Sequence, residues 1–371
     1  MGLTLCLTQL RAQIAKPGYE DKLLFRGITG VTVGGNQMQW ELKGYTTISQ
    51  QSAPVSVAVP LSNRMLFTLA NYGAISTSDT TKVQGVADTR VSLSYILPGD
   101  KFWLTTGASI PTGQTKLEID QLAMMSIMSQ NAFGYKVPVF GQGLNANLGI
   151  AYATPLTRRF VLGIGTSFIY KGSYEPLNNS PITYDQGDEV STNVGFDYIT
   201  YAKTSRVSLD ITASYFFEDK LGDVKKFQSG PRLMLFGVYA LKTENMNHQF
   251  SGRLRYRLQN TSFTDTVSTK YDAGTQVEGQ YSLTYPLNSW LTGAAIGEIK
   301  YYTGDQFHNG IQVVETGAAH VYSLGGDFIF LVSEILLPTL SVRYSTGDIT
   351  IEDINYDITG VEIGFGLKVS F

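Results

Sequence analysis

The chain of 371 residues contains one cysteine and three histidines. A single thiol cannot staple a fold, and without a second one a zinc cage of the Cys/His type cannot be assembled. Charge is scarce as well. Asp, Glu, Lys and Arg make up 16% of the chain, against about 25% in an average globular protein. Basic residues number 28 and acidic ones 31, a balance that excludes the basic footprint of a nucleic-acid-binding protein. No window approaches the roughly 18 uninterrupted apolar residues of a membrane-spanning helix, and the mean hydropathy is −0.03. Also missing are a Gly-x-Ser-x-Gly elbow, a His-Glu-x-x-His helix and a phosphate-binding loop. No cofactor, metal or enzymatic step is expected.

Glycine, tyrosine and phenylalanine are plentiful, at 38, 22 and 19 residues. They belong to stretches of about ten to fourteen residues in which every second side chain is apolar, the period that places them on one face of a strand. Val361, Ile363, Phe365, Leu367, Val369 and Phe371 alternate with Gly360, Glu362, Gly364, Gly366, Lys368 and Ser370. The same alternation holds from Val207 to Phe217, from Phe250 to Leu258 and from Val277 to Tyr285. Soluble strands average about five or six residues, whereas a tilted strand crossing a bilayer needs about nine to eleven. Aromatic side chains gather near segment ends, as at Trp103, Tyr215, Phe217, Tyr285, Trp290 and Tyr301, where interfacial girdles sit.

Short turns, such as Ser62-Asn63-Arg64, Pro98-Gly99-Asp100 and Leu287-Asn288-Ser289, alternate with longer connections at 113–142, 172–190, 219–228, 261–273, 304–316 and 347–355. Backbone groups in hydrocarbon must all be paired, so such a sheet must close. The expected fold is all-β: a transmembrane, antiparallel, up-and-down barrel over residues 38–371 with short periplasmic turns and long outer loops. It has sixteen strands if residues 38–62 supply two, and fourteen if they form an inner plug. Residues 17–37, with Gly27, Gly30, Gly34 and Gly35, read as a plug or periplasmic segment. Residues 1–16 read as the tail of a secretory signal peptide, with a buried first strand as one alternative and Cys6 as a lipid acceptor as another. The terminal Phe371, preceded by alternating apolar residues, resembles the strand by which bacterial outer-membrane barrels are taken up by their insertion machinery. The expected location is therefore the outer membrane, with its lipid as partner.

Candidate functional residues fall in three groups. Arg253, Arg255, Arg257, Glu278, Glu298 and Lys300 take the inward parity of their strands, together with Asp197, Asp210 and Arg343. They form either a ladder that sets a pore field or a paired network that wets the lumen. Residues 117–129 lack Gly and Pro and are rich in helix formers. Their Met124, Met125 and Met128, followed by Phe133 and Phe140, make either a greasy substrate-binding surface or a brace that plugs the barrel. Pro111 removes a ladder donor, which either opens a lateral gap or ends its strand at the rim. His248, His308 and His320 are the bases available to a surface hydrolase, and Asp185, Asp188 and Glu189 could hold calcium, although their spacing lacks an ordered ligand pattern.

The run from Thr106 to Gly113, with its Pro111-Thr112-Gly113 element, then a helical loop, Val137-Pro138 and Gly141-Gln142-Gly143, resembles the outer-membrane family associated with the meta pathway of phenol degradation. That family is similar in turn to the long-chain fatty-acid transporter barrels. The resemblance covers about residues 86 to 176, and the Asn-Pro-Ala element of the fatty-acid group is missing. It implies a monomeric barrel that passes hydrophobic small molecules, aromatic or fatty-acid-like, by passive diffusion. The rival readings are a general porin or a ligand-binding receptor, and less so the hydrolase.

Overall fold

The computed structural model describes residues 30–135, 142–178, 180–200, 204–264, 267–308, 312–333 and 335–370. Sixteen antiparallel strands form the wall. They are β1 Gly30–Leu42, β2 Thr46–Ser62, β3 Met65–Thr77, β4 Thr89–Ile96, β5 Phe102–Ile110 and β6 Asn145–Pro155. Next come β7 Phe160–Tyr170, β8 Glu189–Ile199, β9 Ser205–Phe216, β10 Arg232–Lys242 and β11 Asn247–Arg257. The last five are β12 Gln276–Pro286, β13 Leu291–Tyr302, β14 Ala319–Phe330, β15 Leu336–Ile351 and β16 Ile354–Ser370. Each strand pairs with its neighbours in sequence, and β1 closes the cylinder on β16, from Gly30 opposite Ser370 to Leu42 opposite Ile358. Lys82–Val86 is a short extra strand that lengthens the β3 edge at the outer end.

Closure follows from the alternation. On the outside Leu148, Ile164, Val194, Leu254, Leu324 and Ile363 are exposed, a belt of bare aliphatic side chains that only lipid tails would cover. Exposed aromatics border it: Tyr170, Tyr215, Tyr256 and Tyr301 near the loop-bearing end, Phe102, Tyr285, Trp290 and Phe328 near the other. Among the described residues no helix is long and apolar enough to cross a membrane; the crossing is made by strands. The protein is a multi-pass outer-membrane barrel.

Two expectations need correction, and the structure decides between the two strand counts. The wall begins at Gly30, not at residue 38, so Gly34 and Gly35 are strand residues and the only part of 17–37 left for a plug, 17–29, lies outside the described residues. Glycine here serves close approach: a Cβ on Gly34 would lie 2.9 Å from the Phe365 carbonyl oxygen. The strand count is sixteen, because residues 30–62 supply two strands rather than a plug. Residues 347–355 are not a long loop. β15 runs on to Ile351 and turns through Glu352 and Asp353, whose φ angles of 49° and 65° are those of a tight hairpin. Gly347 looks like a loop residue in sequence but is needed in the strand, since a Cβ there would sit 1.8 Å from the His320 carbonyl oxygen.

Two of the long outer connections, with a short strand from a third, build a second sheet above the rim. Tyr184–Asp185, Asp219–Leu221, Val224–Gln228, Asn260–Phe263 and Ser268–Tyr271 pair in that order. Asp305–His308 and Val313–Thr316 form a separate hairpin. Tyr184 donates to the Asp219 carboxylate, which also accepts the Gly187 N–H at 2.7 Å, so this outer sheet is tied to the 172–190 loop.

Candidate functional site

The connection between β5 and β6 turns into the barrel rather than away from it. Its helix α1, Ile119–Met128, begins where Glu118 offers its N–H to the Gln121 side chain at 3.1 Å and Asp120 lies in the first turn. The faces differ sharply. Ile119 is 78% exposed, whereas Met124, Met125 and Met128 are 4%, 2% and 1% exposed and Phe133 is 2%. These buried side chains pack in one cluster with Trp40 and Leu42 of β1, Ile48 of β2, Tyr302 of β13, Val321 of β14, Ile349 of β15 and Ile358 of β16. Methionine fits this irregular seam between a helix and a curved wall because its thioether bends to the space available. As arranged, the three methionines and Phe133 brace the loop across the lumen and expose almost nothing to a passing solute. Phe140 lies outside the described residues.

Polar contacts fasten the same loop. Trp40 donates its indole N–H to the Phe133 carbonyl at 3.0 Å, and the two rings meet edge to face at 5.3 Å. The Tyr135 hydroxyl donates to the Ile48 carbonyl at 2.6 Å, and Lys300 reaches the Ala132 carbonyl at 3.5 Å. Gly360 provides the bed for the Trp40 ring: a Cβ there would lie 2.6 Å from it. Gly360→Ala is therefore expected to push the indole off its seat and to cost about 1–3 kcal/mol, the usual scale of overpacking. Gly35, where a Cβ would meet nothing within 4 Å, should accept alanine without loss. The temperature at which each variant stops migrating as a folded barrel on gels checks the pair; equal shifts would contradict the fit.

The braced loop fills the half of the outer lumen bounded by β1–β3 and β13–β16. Among the described residues, the other half carries no such packed cluster. A cavity of about 760 Å³ is lined by side chains of β9 to β13, among them Arg253, Arg255, Glu278 and Glu298. Arg253 is bonded to Glu278, which also accepts the Tyr302 hydroxyl at 2.6 Å. Glu298 lies 3.6 Å from Lys300, and Arg257 lies 3.8 Å from Asp305 beyond the strand end. Arg253, Glu278, Glu298, Lys300 and Arg257 are thus each in a charged contact. The sequence reading had passed over Arg206, which reaches Asp197 at 3.2 Å, and Arg232, which reaches Glu189 at 2.7 Å. It had also missed that Met234, Phe236, Val238 and Ala240 point into this cavity. The signal was present: residues 232–242 are apolar at both parities, unlike neighbouring β9 and β11.

Pro111 ends its strand. The β4–β5 ladder runs unbroken to Thr89 opposite Ile110, and the β5–β6 ladder to Ser109 opposite Asn145. The next residues are tied down by Thr112 donating to the Ala87 carbonyl at 2.9 Å and by the Gly113 N–H on Asp88 at 3.0 Å. The ladders on the two sides of β5 are thus unbroken up to Ile110 and Ser109. Glu189 is engaged by Arg232, and Asp188 accepts the Lys171 N–H at 2.9 Å. Among the described residues no group of three or more side chains could hold a metal ion. His248 meets the Tyr281 hydroxyl at 2.9 Å, and His320 meets Asp348 at 3.0 Å. Phe371 lies outside the described residues.

No family model matches the chain, and no curated protein is similar to it, so the resemblance read around Pro111-Thr112-Gly113 gains no support from that side. Among solved structures, an outer membrane channel from Pseudomonas putida F1 is 8% identical at a TM-score of 0.37, over 96% of this chain and 100% of that one. The outer membrane channel DcaP of Acinetobacter baumannii is 10% identical at 0.45, over 91% and 96%. The CymD monoaromatic hydrocarbon channel is 11% identical at 0.40, over 92% and 89%. Similarities of this size carry nothing about the solutes this chain handles.

Proposed function

We propose that the protein is a passive outer-membrane channel for small organic molecules with substantial apolar surface. The observation that carries this reading is the inward face of β10, where Met234, Phe236, Val238 and Ala240 border the open cavity. Inward positions of a water-filled pore are ordinarily polar, and a pore for ions or sugars gains nothing from an apolar strip. A solute with a greasy part does, because contact there removes its apolar surface from water. The helical loop supports the reading by narrowing the lumen to this one side. The ion-paired wall supports a second reading, a general porin, since Arg206, Arg232 and Arg253 with their carboxylates would keep a pore wet.

Osmotic swelling of proteoliposomes separates the two. A channel of the proposed kind admits small organic solutes with no energy source and excludes a trisaccharide. Equal swelling in both would favour the general porin, and no swelling in either would remove the channel reading.

A further inference from the structure

Arg255 is the guanidinium of the cavity lining that has no carboxylate. Arg253 is bonded to Glu278, Arg232 to Glu189 and Arg206 to Asp197, and no acidic side chain among the described residues comes within ion-pair distance of Arg255. Its Nη1 donates to the neutral Gln276 side chain at 2.7 Å. Its Nε is buried and has no acceptor. Arg253 and Arg257 flank it on β11, and Arg257 in turn faces Arg232 of β10 across the ladder, so the positive field at this point is larger than its ion pairs neutralise. A half-satisfied guanidinium in such surroundings is costly for folding alone.

Directly across the ladder from Arg255 stands Met234, and across from Arg253 stands Phe236. Facing side chains in an antiparallel pair are about 5 Å apart at Cβ. From Met234 the apolar strip continues through Val238 to Ala240, six residues or about 20 Å at the usual strand rise. At its far end Arg206, opposite Ala240, is already neutralised by Asp197 at 3.2 Å. One end of the cavity therefore offers a guanidinium whose side-chain acceptor is a neutral amide rather than a carboxylate, and the wall beside it offers apolar contact, with the other lining arginines among the described residues already ion-paired.

We propose that Arg255 is an anion-binding residue of the lumen and that the site takes monocarboxylates with a compact apolar body, the carboxylate on Arg255 and the body along Met234 and Phe236. This rests on the channel reading and names its substrate class. A carboxylate accepts two parallel N–H bonds from a guanidinium, and it supplies the charge that the wall leaves out. A dicarboxylate would have to place its second charge on the apolar strip. Acetate would gain the ion pair but not the strip.

Benzoate is the probe. Its binding to the full-length, detergent-solubilised protein is followed by saturation-transfer NMR, which needs no ion flow. Arg255→Gln is expected to weaken benzoate at least about tenfold, about 1.4 kcal/mol, with partial recovery in Arg255→Lys. Met234→Gln should weaken benzoate and leave acetate, already the poorer ligand, unchanged. A purely structural arginine would cost stability when replaced. Here Arg255→Gln removes an uncompensated charge, so the variant should unfold at the same or higher temperature. Benzoate binding equally to parent and Arg255→Gln, or acetate and phthalate binding as well as benzoate, would overturn the site. Binding that depends on Arg255 without solute passage in proteoliposomes would uphold the site and remove the channel reading; passage without such binding would do the reverse.

Discussion

Replacing residues 116–134 with a short glycine-serine linker is expected to raise single-channel conductance severalfold. The loop contributes no pairing to the sixteen-strand wall, so the cylinder should still close without it. What is lost is the packed cluster that holds Met124, Met125, Met128 and Phe133 against Trp40, Leu42 and Ile358. The half of the lumen bounded by β1–β3 and β13–β16 then fills with water, and the current no longer has to follow the arginine-bearing side. Anion preference should fall together with the rise in conductance, because the field of Arg253 and Arg255 acts within about a Debye length of 10 Å. Planar-bilayer recordings measure both. An unchanged conductance in a folded deletion variant would mean that the loop does not restrict the passage.

Leu324→Arg is expected to cost about 2–4 kcal/mol of folding free energy in lipid vesicles, the range for a cation on the lipid face at the bilayer midplane. Leu324 is 74% exposed at the middle of β14. Its side chain has only lipid tails to meet, and a guanidinium placed there must snorkel or draw water after it. Gln280→Arg is the control. Gln280 lines the cavity, where a charged side chain has room to be hydrated, so its replacement should alter ion selectivity with little loss of stability. Urea titrations of vesicle-inserted protein compare the two. Equal destabilisation would contradict the assignment of which parity faces lipid.

The barrel was legible because one physical rule, apolar out and polar in, is repeated along strands of bilayer length. The limit of that legibility lay where the rule is relaxed. Gly34 and Gly35 read as part of a plug and Gly347 as the start of a loop, but within a closed sheet Gly34 and Gly347 mark places where neighbouring backbone leaves no room for a Cβ. The methionine-rich helix was readable as a helix, yet its placement was not: the 3.6-residue period shows an apolar face but not which surface it seeks. That surface, Trp40 and Leu42 of β1 with Ile358 of β16, is far away in sequence. Among the charged residues, Arg253, Arg255, Glu278 and Glu298 were found by parity. Arg206 and Arg232 were not, because each stands at the end of a strand, where alternation has too few neighbours to register. The apolar strip on β10 was hidden by its own excess, since a strand that is apolar on both faces gives no alternation to read.

The channel reading divides the lumen into a dry, braced half against β1–β3 and β13–β16 and a wet passage along β9 to β13. Cysteine accessibility tests this division, in a Cys6→Ser background that removes the single native thiol. A water-soluble thiol reagent should modify Ser251→Cys, on the cavity wall, and reduce the current through the reconstituted channel. It should leave Ala74→Cys, 4% exposed within the packed cluster, unmodified and the current intact. Comparable modification and block at both positions would contradict the division of the lumen.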